Sequence, residues 1–253
     1  MPSYIIIHKG KFREDMVRAN YKKGRISQAK EVLEIIEDKW KKSHSKNTKL
    51  FNGQLFRLVN YNIENNQIEF YLSDTDYKEY VGTRDIDFVS KFRKDKTSNP
   101  ISVGAVLVTL DNKIILGERS NEVDSQKSKI AVIGGNADPR HDFSKDKPDI
   151  FGAMRREIGE ELGIRENMVS NLSIIGLVSN LERYQTFIPF QGKILLNADQ
   201  IQDFDRKEFS RIVILDNNEK SVIEFLTKMR NSLSDITEAT FEIYSEFIGS
   251  STK

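Results

Sequence analysis

Hydrophobic residues recur along this chain with two different periods. In residues 27–42, Ala29, Val32, Leu33, Ile36 and Trp40 fall at helical spacing, which predicts an amphipathic helix. Residues 4–7 predict a first strand. Residues 55–61 and 67–72 are rich in aromatic and β-branched types and flank the polar stretch 62–66, a hairpin signature. Beyond a charged, breaker-rich segment at 91–100 the pattern shifts to short buried strands: 103–109 and 113–118 about a turn at Asp111-Asn112, then 130–133 running into Gly134-Gly135. Further strands are expected near 174–178, 187–190 and 211–215, and helices over 221–229 and 237–248. Strands and helices so mixed imply an α/β sandwich on a mixed β-sheet. The segment 91–100 predicts a boundary, with a smaller N-terminal α+β domain over 1–98 and a larger one over 99–253. A solvated loop within one continuous domain is the alternative reading.

The most informative stretch lies in a third apolar pattern. Phe151, Met154, Ile158 and Leu162 form a helical stripe that ends at Gly163, a helix stop. Beside the stripe, Glu157, Glu160 and Glu161 stand at i, i+3 and i+4, on one face. Like charges at that spacing oppose the helix by roughly 0.2–0.5 kcal/mol per pair. Such a face suits a hard divalent cation, Mg²⁺ or alternatively Mn²⁺, which takes oxygen ligands and usually arrives with waters and a substrate phosphate. Gly159 inside the helix points to close packing or close approach of another group. Upstream, Gly135 lets the backbone come near metal or phosphate.

Composition narrows the chemistry. With 39 basic against 38 acidic residues the net charge is +1, so no global field favours nucleic acid or a membrane surface. No apolar run is long enough to span a membrane and no secretory leader is visible, so the protein is expected to be cytoplasmic. Absence of cysteine excludes disulfides, thiolate zinc sites and a cysteine nucleophile, and only three histidines are available as bases. A carboxylate mechanism fits what remains.

Arg156-Glu157-Ile158-Gly159-Glu160-Glu161-Leu162-Gly163-Ile164 resembles the second half of the Nudix box, G-x5-E-x7-R-E-U-x-E-E-x-G-U with U aliphatic, at every defined position. The first half departs: 20 residues separate Gly135 from Arg156, seven more than in the family pattern, and Pro148 stands where glutamate is expected. Asp149, Asp146 or Asp142 are the candidate replacements, the alternative being that nothing fills the place. The stretches 74–84, 103–108 and 133–139 resemble a divergent Nudix branch that hydrolyses UDP-glucose and UDP-galactose, which also has an extra N-terminal domain and a stretched box loop.

The resemblance implies a Nudix α/β/α sandwich and Mg²⁺-dependent cleavage of a small nucleoside diphosphate sugar to UMP and sugar 1-phosphate. ADP-ribose or another nucleoside diphosphate derivative is an alternative substrate. A catalytically silent nucleotide-binding module is the alternative from another class, favoured by the missing glutamate. In this reading Glu157, Glu160 and Glu161 hold the metal and Arg156 fixes their positions. Glu157 or Glu161 is the simplest general base, with His141 a remoter one. Arg119 is a candidate phosphate ligand, because a guanidinium grips phosphate bidentately. Tyr77, Tyr80 and Phe187 are candidates to stack the base, though their spacing also suits a core.

Overall fold

The computed structural model describes residues 3–123, 126–201 and 204–248. In chain order the elements are strand β1 (Tyr4–Phe12), β2 (Val17–Tyr21), helix α1 (Lys30–Lys46), β3 (Gln54–Glu64), β4 (Gln67–Asp76), α2 (Tyr77–Thr83) and α3 (Ile86–Phe92). There follow β5 (Ile101–Val108), β6 (Lys113–Arg119), β7 (Ile130–Ala131), β8 (Phe143–Ser144), β9 (Lys147–Pro148) and α4 (Ile150–Leu162). The chain closes with β10 (Val169–Asn180), β11 (Gln185–Ile194), β12 (Phe209–Asp216), α5 (Glu219–Met229) and α6 (Asp235–Ile248).

The large sheet runs β1-β10-β11-β5-β6-β12, with β7 paired to β6. Only β11 and β5 are parallel, so the sheet is mixed. Its central strand β5 is buried on both faces, which explains its unbroken apolar run. Alternate residues divide two cores: Val103, Ala105 and Leu107 pack with Phe151, Met154, Ile158 and Leu162 of α4, whereas Val106 and Val108 pack with Val222 and Phe225 of α5 and Phe241 of α6. This is the expected α/β/α sandwich.

A second sheet, β2-β4-β3, lies on the α4 side, its Phe56, Leu58, Phe70 and Leu72 sharing that core. The hairpin between β3 and β4 turns at Asn65-Asn66, both at positive φ, the conformation a two-residue hairpin turn demands and asparagine tolerates. Strands before residue 99 enter both sheets, since β1 crosses the expected boundary to pair with β10 as an edge strand of the large sheet. The charged segment before β5 is also partly inside: Thr97 and Ser98 are buried, and Ser98 bonds the Thr75 hydroxyl at 2.6 Å and the Thr83 hydroxyl at 2.9 Å. Among the described residues no helix is long and apolar enough to cross a membrane.

The stretched loop between Gly135 and α4 is itself structured. It folds into the β8-β9 hairpin, and Phe143 at its start packs against Tyr21 of β2 at 5.2 Å and Phe56 of β3 at 5.3 Å between ring centroids. Phe143 thus docks the stretched loop onto the small sheet.

Candidate active site

Two glycines bring the loop and α4 together. Gly134 has φ +152°, and a Cβ there would collide with the Val103 carbonyl, so only glycine lets this strand turn beside β5. At Gly135 a Cβ would lie 2.7 Å from both carboxylate oxygens of Glu157. The close approach foreseen for Gly135 is therefore to the box carboxylate. Gly159 is different: a Cβ there would meet only the Ile164 carbonyl, at an ordinary 3.5 Å, so packing does not require glycine at that position.

Helix α4 presents the acidic face as its spacing dictates. Asp149 caps it, accepting from the Gly152 N–H at 2.7 Å, and Gly163 ends it in the left-handed region. Arg156 is the hub. Its Nε and Nη2 donate to the two oxygens of Asp142, each at 2.9 Å, while Nη1 donates to Glu157 and Glu160, again at 2.9 Å each. Nη2 also reaches the Asn136 carbonyl at 3.1 Å. Burial alone would pull the guanidinium pKa down, but the Asp142 bonds and the Glu157 charge outweigh it and hold the pKa above its ordinary value.

Asp142, one of the three candidates for the acid absent at Pro148, is the one that bonds Arg156. It is only 2% exposed and its Oδ2 also accepts the Asp138 N–H at 2.7 Å. The other two candidates do not take this place. Asp149 is the helix cap, and Asp146 sits at positive φ in the β8-β9 turn, exposed.

Three carboxylates of the face differ in surroundings. Glu157 and Glu161 are buried, whereas the side chain of Glu160 is 59% exposed. Burial raises Glu157 to about 7 in spite of Arg156, and raises Glu161 well above the ordinary range, with the Glu157 charge adding to the effect. Glu161 accepts one stabilising bond, from the Gly134 N–H at 2.8 Å. Among the described residues no group of three or more acidic or histidine side chains is arranged to hold a metal ion. Mg²⁺ does not need such a group, because it commonly takes one or two carboxylates and keeps waters or substrate phosphate.

These groups line a cleft of about 580 Å³, within the range of small-ligand pockets. Gly135, Arg156, Glu157, Glu161 and Arg119 all face it, while Glu160 stands at the solvent side of Arg156, outside the lining. Arg119 forms an ion pair with Glu208 at 2.7 Å across the wall. Glu208, whose pKa burial raises, was not foreseen, since nothing in its local sequence marks it. His141 is exposed and does not line the cleft. The three aromatic candidates all line the cleft, Tyr80 and Phe187 nearly fully buried and Tyr77 packed between Trp40 and Tyr80. The Tyr80 hydroxyl donates to Gln185 at 2.9 Å, and Gln185 donates to the Asn136 side chain at 2.8 Å, joining α2 to the glycine loop.

No protein-family model matches the chain. It is 27% identical over 201 residues to Nudix hydrolase 9 of Arabidopsis thaliana, a match covering 66% of this chain and 65% of that protein. Over 136 residues it is 26% identical to the uridine diphosphate glucose pyrophosphatase NUDT22 of Mus musculus, covering 45% and 44%. The chain thus spans less than two thirds of the length of either relative. Solved structures similar to it include a MutT protein from Methanosarcina mazei, at 18% identity and TM-score 0.42 over 60% of this chain and 95% of that one. Another is an Ap4A hydrolase of C. elegans, at 16% identity and TM-score 0.41 over 59% and 98%.

Proposed function

We propose that this chain, similar in sequence to Nudix hydrolases and to their UDP-glucose branch, carries out Mg²⁺-dependent hydrolysis of the diphosphate bond of a nucleoside diphosphate sugar, UDP-glucose-like, to UMP and sugar 1-phosphate. The observation that carries the reading is that Arg156 and Glu157 line a cleft of about 580 Å³ beside a second buried carboxylate, Glu161, with Asp142 holding Arg156 from outside the lining. The bond of Asp142 to Arg156 supports a working hydrolase over a silent module, since a carboxylate stands on Arg156 although Pro148 is not an acid.

Glu157 and Glu161, which line the cleft, would supply carboxylate oxygens to a hard cation, Mg²⁺ or Mn²⁺, with Glu160, on the solvent side of Arg156, joining through water. When bound, the ion neutralises diphosphate oxygens and polarises phosphorus. Arg156, locked by Asp142, sets the rotamers of Glu157 and Glu160. Gly135 leaves the space that the Glu157 carboxylate occupies. Glu157 or Glu161 takes the proton from attacking water. Arg119, held by Glu208 at the cleft wall, donates to a phosphate oxygen. A cytoplasmic setting and a small-molecule partner belong to the same proposal.

The test is a phosphatase-coupled assay with UDP-glucose, ADP-glucose and ADP-ribose, with and without Mg²⁺. Phosphate release should require the metal, and kcat/KM should favour UDP-glucose, by up to about 10⁴-fold if polar groups pair with the base. Equal rates would leave a hydrolase and remove the uridine preference; preference for adenine would make ADP-ribose the substrate. Metal-independent release, or none from any of the three, would sink the proposal.

A further inference from the structure

Tyr80 and Phe187 reach the cleft with only 4% and 2% of their surface open, and the partly buried Tyr77 is packed edge-to-face with Trp40 and Tyr80, so the most open aromatic ring of the cleft lies elsewhere. Phe51 is 69% exposed, more than any other large hydrophobic side chain among the described residues, and it lines the cleft. An apolar ring left in water costs free energy, since burying one is worth about 1.5–3 kcal/mol. Yet the segment that presents it is firmly held. The Asn52 side chain accepts the Lys78 N–H at 2.7 Å and donates to Asp76 at 3.0 Å, and the Gly53 carbonyl accepts the Tyr77 N–H at 2.9 Å. The backbone is fastened to the start of α2 while its aromatic ring stays open.

A second planar group stands beside it. The Arg140 guanidinium lies 6.0 Å from the Phe51 ring centroid, and Asp138 grips that guanidinium through Nε at 3.0 Å to each oxygen and through Nη2. Asp138 donates its own N–H to Asp142, which holds Arg156. A continuous series of contacts therefore runs from Phe51 to the carboxylate helix and fixes the platform relative to the site. Base and ring both offer π faces, and stacking on an aromatic side chain is largely indifferent to which base is present.

We propose that Phe51, backed by Arg140, is the stacking platform for the nucleobase end of the substrate, so that the base lies at the cleft mouth and the diphosphate at Gly134–Gly135. The inference rests on the nucleoside diphosphate reading above and assigns the residue that holds the base. It separates two tasks: Phe51 supplies affinity for any base, and discrimination between bases comes from polar groups elsewhere in the cleft.

The experiment is calorimetric binding to the full chain in Mg²⁺, using UDP, ADP, the base-free methylenediphosphonate and glucose 1-phosphate. Phe51→Ala, at an exposed position, should weaken UDP and ADP by a similar factor, about 5- to 150-fold, the span of stacking free energies per base. Methylenediphosphonate and glucose 1-phosphate should bind as in the wild type, and Phe51→Trp should restore UDP. In turnover, Phe51→Ala should raise KM with kcat nearly kept. Unchanged UDP binding in Phe51→Ala, equal loss of methylenediphosphonate, or a loss confined to glucose 1-phosphate would overturn the assignment while leaving the hydrolase intact. Failure of the wild type itself to bind UDP or ADP would instead overturn the functional reading, and this inference with it.

Discussion

The two halves of the site motif reach the same geometry by different routes. From Arg156 to Ile164 the chain keeps a fixed spacing, and a helix turns spacing directly into side-chain direction. From Gly135 to Asp149 the spacing is lost, yet the carboxylate that grips Arg156 is present, delivered by a hairpin that anchors itself on the small sheet through Phe143. On the helix half a role belongs to a position; on the loop half it belongs to a contact.

The sharpest way to break this comparison is at the helix. Glu161→Gln should cost at least about 100-fold in kcat/KM, because a metal's charge stabilisation is worth several kcal/mol. Its metal-free melting temperature should hold or rise, since a buried carboxylate is neutralised next to Glu157. Glu160→Gln should lose comparable activity with little change in melting. Near wild-type turnover of either variant at saturating Mg²⁺ would show that it is not a ligand.

On the loop half, Asp142→Asn should lower turnover by about 10- to 100-fold, as losing the partner that orients a ligand does. Asp149→Ala should leave turnover alone and cost about 1 kcal/mol of stability as a lost helix cap, read by denaturant titration. The opposite pattern would return the role to Asp149 and refute the contact argument.

Phe143→Ala sharpens the comparison further. The ring is only partly buried, so a stability loss of about 1–3 kcal/mol is expected, below that of a fully buried phenylalanine. Turnover should fall with it, because the hairpin carries Asp142 in its approach. Full activity with lowered stability would mean that the loop holds Asp142 without its anchor. The smallest effect is expected at Gly159→Ala, which should leave activity unchanged and raise stability by up to about 1 kcal/mol. A loss there would reveal an approach that the helix packing does not show.

Legibility followed the same division. The helix face, its apolar stripe and its Gly163 stop were readable, because i, i+3 and i+4 have one geometric meaning. The hairpin and most large-sheet strands were also readable, though β2, α2 and α3 were not: short elements of five to seven residues carry little periodicity. Asp142 was one of three candidates that sequence alone could not separate, since the choice depends on the path of a loop. Glu208 reaches Arg119 across 89 positions, and Phe51 sits in a turn-like Phe-Asn-Gly segment where exposure cannot be read. Asn52-Gly53 was a signal of a tight turn there, but not of what the turn displays.

The anchor at Phe143 ties the carboxylates around Arg156 to the cooperativity of folding. The small sheet cannot fray at β2 and β3 without loosening the hairpin, and the hairpin cannot loosen without freeing the partner of Arg156. Amide hydrogens of the small sheet and of the 136–142 segment should therefore exchange in one protected unit, and activity should vanish along the denaturation curve of the N-terminal half rather than ahead of it.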